Sequence, residues 1–346
     1  MATAYIYHPL YLAHQLQGHP ERPARLEQTI ETLQREGVLE RLVALAPTPA
    51  TEAEIDQVHS ATYRRHVQRV AAQGGGYLDP DTYVNARSYE IALLAAGGVN
   101  TAVRAVLRGE KGIKNAFCLV RPPGHHATVE RGMGFCLFNN VAIGAHVAQM
   151  EATQGRIMIV DLDVHHGNGT QDVFFDDPSV LYFSTHQYPY YPGTGHWRER
   201  GHGMGEGTTV NVPLPAHVGD TGYAAVYDRL LRPIAQRFRP DLILVSIGFD
   251  GHWHDPLAMM TLSLTGYARL VRILGDIAQE LCHGRLIFTL EGGYDLDVMA
   301  FGVLNTFYAL LGEDKVVDPI GLSPTAEVPI KNLIDDLCQL HQLTQE

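Results

Sequence analysis

The residues of this chain best suited to chemistry are Asp161-Leu-Asp163-Val-His165-His166-Gly-Asn168-Gly169, two carboxylates and two imidazoles set directly after the apolar run 156–160. That β-branched run reads as a buried parallel strand. Side chains alternate along a strand, so Asp163 and His165 are expected on one side and His166 on the other. A carboxylate oxygen and an imidazole nitrogen then converge just past the strand. Oxygen and nitrogen donors without a thiolate suit a catalytic zinc ion that keeps one position open for water and substrate. Asp-x-His alone serves equally as a strand end that caps the following helix, so the reading needs further donors.

The rest of the chain supplies them. Apolar, β-rich runs recur at 117–120, 157–162, 180–184, 242–247 and 286–290. Helical spacing or composition marks 24–36, 87–109, 140–153, 222–237, 264–282 and 297–311. This alternation predicts an α/β fold with a parallel central sheet and helices on both faces. No repeat, low-complexity run or Ser/Pro-rich linker divides the chain, so residues 1–346 are read as one domain. The stretch 185–207, dense in Gly, His, Tyr and Pro, reads as a long loop of functional interest. Each unusual polar motif follows an apolar run: Arg121-Pro-Pro-Gly-His125-His126, Asp161 to Asn168, Ser246-Ile-Gly-Phe-Asp250 and Leu290-Glu-Gly-Gly-Tyr294. In open parallel sheets ligands bind outside the carboxyl ends of the strands, so all four motifs collect where a ligand would sit. Asp250 can bring a second carboxylate to Asp163 and His165. The histidine pair suits proton transfer near neutral pH, and a phenol at Tyr294 can donate to an oxyanion without ionising.

Composition narrows the function classes. At 346 residues and 45% hydrophobic content the chain can bury a large core, and a net charge of −12 disfavours broad contact with nucleic-acid phosphates. Cys118, Cys136, Cys282 and Cys338 form no Cys-x-x-Cys pair, which points to a reducing, cytoplasmic compartment. No basic leader-like start and no run of eighteen apolar residues is present, so neither export nor membrane insertion is expected. The 18 histidines are many for this length and favour metal chemistry.

Taken together, the motifs resemble the zinc-dependent histone deacetylase family, of the arginase-deacetylase fold. The resemblance runs through His19-Pro-Glu-Arg-Pro-Ala-Arg25-Leu, Arg121-Pro-Pro-Gly-His-His-Ala127, Gly134-Phe-Cys-Leu-Phe-Asn-Asn140, Asp161 to Gly169, Gly248-Phe-Asp-Gly-His-Trp-His-Asp-Pro-Leu257 and Glu291-Gly-Gly-Tyr294. The forms of the second and last segments look more like the class II and prokaryotic branch. The resemblance implies Asp163, His165 and Asp250 as ligands of one zinc ion, with His126 as general base and acid and His125 as its electrostatic partner. Asp161 would orient His125. Asn168 stands where many relatives carry an aspartate facing the second histidine, so His126 is expected to be a weaker base and a better acid. Tyr294 would donate to the substrate carbonyl. Phe135 and Tyr191, with Gly134, map onto a tunnel for a lysine side chain, and Leu257 onto its mouth; phenylalanine is common at the position of Tyr191. Arg25, Gly292 and Gly293 correspond to the exit region of the acyl product. A potassium site using Asp161, Asp163, the His165 carbonyl and Ser184 is a family feature.

The implied activity is hydrolysis of an N-acyl amide, foremost acetyl-lysine. Acetylpolyamines and small acetylated metabolites are rival substrates, although Leu257 after Asp255-Pro256 lacks the carboxylate with which some polyamine-specific relatives guard the tunnel. A non-catalytic acyl-lysine reader is disfavoured because ligands, histidine pair and tyrosine are all present. A two-manganese ureohydrolase would need more carboxylates. Asp79 is weighed as a rim carboxylate, and His252 and His254 as residues shaping the loop after Asp250. The 315–346 segment is expected to form a helix packed on the domain or an oligomer contact.

Overall fold

The structure, a computed structural model, describes residues 2–152 and 155–343. In chain order its strands are β1 (Ala2–Ile6), β2 (Val43–Leu45), β3 (Gly75–Tyr77), β4 (Tyr83–Asn85), β5 (Ile113–Cys118), β6 (Ile157–Asp161), β7 (Val180–Gln187), β8 (Thr209–Leu214), β9 (Leu242–Ile247) and β10 (Leu286–Leu290). β3 and β4 make a small antiparallel pair. The other eight form one parallel sheet in the order β2-β1-β5-β10-β9-β6-β7-β8. Every residue of β6 to β10 is buried, which explains their unbroken apolar sequences: helices cover the sheet and leave its strands no solvent face.

The expected helices form at Ala24–Arg35, Ser88–Arg108, Asn140–Glu151, Leu264–Cys282 and Leu296–Leu310. Asn139, Ser263 and Asp295 begin the last three by accepting a backbone N–H in the first turn. Residue 153, the expected end of the third, lies outside the described residues. The helix expected over 222–237 is not continuous. It runs as Asp220–Val226, a π-helical turn Tyr227–Leu231, and Arg232–Phe238. Pro233 is the reason: it has no N–H for the carbonyl of Arg229, so the α pattern is interrupted just before it. Ser88–Arg108 is long and apolar enough to cross a membrane by length and composition, but most of it is buried, packed on Asn140–Glu151 and β5. In the 315–346 segment, the described residues hold a helix Lys331–Leu340 that packs onto the π turn through Ile334, Leu337 and Cys338. The loop expected over 185–207 begins later, because Thr185 to Gln187 complete β7.

Candidate active site

β5, β10, β9 and β6 are neighbours in that order, and their parallel register aligns the carboxyl ends. The histidine pair follows β5, Glu291 to Tyr294 follow β10, Asp250 follows β9, and Asp161 to His165 close β6. The sheet therefore converts four motifs scattered over 170 residues of sequence into one cluster, by a route that needs only straight strands of equal register. The alternation argument for Asp163 and His165 requires correction: the strand stops at Asp161. Beyond it the chain folds around the carboxylates themselves. Asp163 N–H donates to Asp161 Oδ1 (3.2 Å), His165 N–H to Asp163 Oδ1 (2.9 Å) and Val164 N–H to Asp250 Oδ1 (3.1 Å).

Asp163, His165 and Asp250 converge as a group that could hold a metal ion. His165 Nδ1 stands 3.1 Å from Asp163 Oδ1 and 3.2 Å from Asp250 Oδ2. Two donors at about 2.0–2.1 Å from a tetrahedral ion are about 3.3 Å apart, so these separations fit zinc. Both aspartates are buried, and Asp250 Oδ2 accepts no hydrogen bond. A Cβ added at Gly248 or Gly292 would collide with the carboxylate oxygens of Asp163 and Asp250, so both glycines are cradle walls. Electrostatics agree. Burial, the facing Asp163 charge and the other neighbouring groups leave the Asp250 carboxyl raised to about 6. Burial would lower His165, but the two carboxylates overcome it and raise the imidazole to about 10. Two buried carboxylates demand a cation, and an ion at this point would supply it.

The histidine pair is split by its surroundings. Despite burial, which disfavours its charge, His125 is raised to about 10 by Asp161 and Asp163; its Nδ1 lies 3.1 Å from Asp161 Oδ2. His126 is held well below the ordinary range by burial and by the cation-prone His125 and His165 beside it. Its Nδ1 lies 2.9 Å from Asn168 Oδ1; since that oxygen can only accept, Nδ1 carries the proton and Nε2 has the free lone pair. The lowering comes from burial and the two neighbouring imidazoles; the Asn168 hydrogen bond itself acts against it. His166, the second imidazole of the motif, turns away to Thr194 Oγ1 (2.8 Å) and Gln171 Oε1 (3.0 Å).

A cavity of about 250 Å³ opens onto this cluster, lined among others by His125, His126, Gly134, Phe135, Asp163, His165, Tyr191, Leu257, Gly292 and Tyr294. Gly134 (φ 55°) and Phe135 (φ 69°) are both left-handed. For phenylalanine this is strain, held by the Cys136 N–H to Met133 carbonyl turn (3.0 Å) and by Phe135 N–H donating to Thr82 Oγ1 (3.0 Å). At Gly134 any side chain would strike the His126 ring, so the backbone passes over the histidine unshielded. Tyr294 is neutral, its phenol raised well above the usual range by burial. Asp250, Asp161 and Asn168 stand behind the lining. So do Gly293 and Arg25: the buried Arg25 guanidinium donates to the carbonyls of Gly293 (2.7 Å) and Glu291 (2.6 Å) and sits 5.1 Å from the Tyr294 ring centroid. Ser184, placed by resemblance near a potassium ion, is in register with Asp161, with its Oγ 2.9 Å from His186 Nδ1.

Several residues escaped the sequence reading. Asp81, rather than Asp79, lines the cavity rim; Asp79 Oδ1 instead accepts from the N–H groups of Asp81 (3.1 Å) and Thr82 (2.8 Å), fixing the turn. Asp255 binds the mouth together, accepting from Tyr294 N–H (2.6 Å) and Leu257 N–H (3.0 Å). Tyr190 lines the cavity and donates to the Leu257 carbonyl (2.8 Å). Glu291, raised to about 7 by burial, accepts from Gly124 N–H (2.7 Å), His125 N–H (3.2 Å) and Ser246 Oγ (2.9 Å), and so positions the histidine loop. The doubled Arg-Pro-Pro-Gly and Glu-Gly-Gly motifs signalled these loops without revealing that they bond to each other.

A histone deacetylase domain model matches residues 19–310. The chain belongs to the histone deacetylase family. It is 40% identical to a probable deacetylase of Archaeoglobus fulgidus over 99% of this chain and 98% of that protein. Histone deacetylase 10, chloroplastic, of Oryza sativa is 39% identical over 96% of this chain and 79% of its own length. The polyamine deacetylase HDAC10 of Homo sapiens is 39% identical over 90% of this chain, which spans 48% of that larger protein. The crystal structure of the HDA15 HD domain superposes with a TM-score of 0.90 at 37% identity, covering 99% of this chain and 96% of that one. The fold is therefore the arginase-deacetylase fold, and the chain is a deacetylase, a hydrolase by reaction class.

Proposed function

We propose that this deacetylase is zinc-dependent and removes the acetyl group from acetyl-lysine side chains. The observation that carries the reading is the Asp163, His165 and Asp250 donor set facing a neutral His126 and a neutral Tyr294 across one narrow cavity. Zinc held by those three residues would polarise the acetyl carbonyl and acidify a water molecule. His126 Nε2 takes the proton of the attacking water while Asn168 holds the other ring nitrogen. The Tyr294 hydroxyl donates to the oxyanion that develops on the carbonyl oxygen. His126 then returns the proton to the leaving amine as the C–N bond breaks, giving acetate and a free lysine. His125, carrying its proton against Asp161, keeps positive charge beside the reacting centre. Phe135 and Tyr191 flank the aliphatic stem. Leu257 offers no carboxylate to a second ammonium, which favours lysine over polyamine. The four buried, unpaired cysteines suit a reducing, cytoplasmic setting.

The test uses two variants. Tyr294→Phe is expected to fold, bind one zinc per chain and lose about 10²–10³ in kcat, as for removal of one oxyanion donor. Asp250→Ala is expected to lose zinc and turnover together. Full turnover by verified zinc-free Asp250→Ala protein, or an unchanged kcat for Tyr294→Phe, overturns the proposal. A large preference in kcat/KM for acetylspermidine over an acetyl-lysine peptide overturns the substrate assignment alone.

A further inference from the structure

A second cavity, of about 460 Å³, lies at the opposite edge of the sheet. Its walls include Arg156, which immediately precedes β6, Thr208, which precedes β8, Arg237 of helix Arg232–Phe238, and His341 at the end of the last helix. β6 itself separates the two sites: Arg156 enters at its amino end, and Asp161 to His165 leave at its carboxyl end. The extended strand from Arg156 to Asp161 alone puts about 16 Å between the two ends.

The chemistry of this cavity is unusual for a chain of net charge −12. Three guanidinium groups, Arg156, Arg200 and Arg237, line it against one carboxylate, Glu206, whose Oε1 is 3.4 Å from Arg200 Nη1. Among the described residues no carboxylate pairs with the Arg156 or Arg237 guanidinium, although Asp241 Oδ2 accepts from the Arg156 backbone N–H (3.0 Å); the Arg237 guanidinium donates to the His341 carbonyl (2.9 Å). Arg156 Nε, Arg200 Nε and His341 Nε2 are buried without a hydrogen-bond partner. His341 is 3% exposed, and burial together with Arg200 and Arg237 lowers it to about 4, so it enters as a neutral ring in a cationic field. Buried N–H donors are ordinarily satisfied, so the two orphaned guanidinium Nε groups of Arg156 and Arg200, lining one cavity with the unpartnered His341 ring and the exposed Arg237, point to a missing acceptor. The remaining wall is apolar: Leu181, Ile234, Phe238 and Leu340.

We infer that this cavity binds a phosphate monoester, its dianion held by Arg156, Arg200 and Arg237 and its organic part against the apolar wall. Two net positive charges match a dianion, guanidinium forks match its terminal oxygens, and the volume falls in the range of small-ligand pockets. The site is remote from the acetyl-lysine cavity and does not depend on the zinc assignment.

Calorimetric titration of the full, zinc-loaded chain with glycerol 3-phosphate tests this, with glycerol and ionic-strength-matched sodium chloride as controls and zinc content measured before and after. Saturable binding is expected with glycerol 3-phosphate and with neither control. Arg156→Gln with Arg237→Gln is expected to weaken it at least about tenfold, the effect of losing charged hydrogen bonds, with deacetylation unchanged. Glu206→Gln, on an exposed side chain, is expected to tighten it a few-fold by removing the one opposing charge. Metal-free Asp250→Ala protein is expected to bind equally well. No binding, binding lost with the metal, or binding indifferent to both the arginine and the Glu206 substitutions overturns the inference.

Discussion

Asn168→Asp isolates what sets the catalytic proton transfer. The amide oxygen lies 2.9 Å from His126 Nδ1, and Asn168 is 7% exposed. A carboxylate there would place a full negative charge about 4 Å from the imidazolium charge, worth about 4 kcal/mol at an effective dielectric of 20, or about 3 pKa units. Burying the new carboxylate removes part of this gain. The neighbouring pair supplies an internal reference: His125, 3.1 Å from the Asp161 carboxylate, is raised to about 10 even though it is equally buried. We therefore expect the His126 pKa to rise by about 1–3 units. The sign follows from the role: neutral His126 is the base, so raising its pKa removes the competent form from the low-pH side. The acidic limb of kcat/KM against pH, measured on zinc-loaded protein with an acetyl-lysine peptide, should move upward by that amount. A limb that stays in place or moves downward, at unchanged zinc content, refutes the reasoning.

Three other substitutions follow from the same geometry. Burial would raise the Glu21 carboxyl, but Arg121, with His14 and Arg25, overrides it and holds it at about 2. A depressed carboxyl stabilises the fold above its unfolded pKa of about 4.5, so on the order of 3 kcal/mol should be lost as pH falls from about 4.5 to 2. Glu21→Gln, which leaves the buried Arg25 and Arg121 uncompensated, should cost about 3–5 kcal/mol at neutral pH, and chemical denaturation at pH 7 and pH 3 will show the mutant less pH-dependent than the parent. Gly292→Ala should lower zinc stoichiometry well below one per chain with the circular dichroism spectrum retained, because its Cβ meets the Asp163 and Asp250 oxygens; full zinc occupancy with parental kcat counts against the cradle. Leu257→Glu should shift the kcat/KM ratio toward acetylspermidine by about three- to tenfold, the scale of a partly exposed ion pair, and an unchanged ratio removes residue 257 from substrate choice.

Five of the six interior strands were readable because burial on both faces forces continuous apolar sequence, as in Leu242–Ile247 and Leu286–Leu290; the sixth, β1, is only partly buried and was missed. The strands missed are those where that pressure is weaker or hidden. β2 is a three-residue edge, and β8, the other edge, carries Pro213 and Asn211. An edge tolerates proline because one side of its backbone has no partner strand, and Asn211 Nδ2 donates laterally to Gln171 Oε1 (2.7 Å). The helix Ala61–Ala72 buries only Tyr63, Arg64, Val67 and Ala71, too sparse a stripe to stand out beside its polar residues.

At the site the division is different. Donor types were legible because metal binding and proton transfer restrict residue identity, and Asp163, His165, Asp250, His125, His126 and Tyr294 therefore declare themselves by chemistry. The residues that aim them do so through backbone amides, and a backbone amide has no sequence signature. Asp255 holds Tyr294 and Leu257 by their N–H groups, Glu291 holds Gly124 and His125 by theirs, and Arg25 holds the carbonyls of Glu291 and Gly293. Arg25 in turn shares Glu21 with Arg121, the first residue of the histidine loop. The loop bearing the base and the turn bearing the oxyanion donor are thus fixed to one buried carboxylate. Glu21, which touches no lining group of the cavity, consequently governs the relative placement of His126 and Tyr294: its loss should lower kcat as well as stability, whereas a purely structural ion pair would change stability alone.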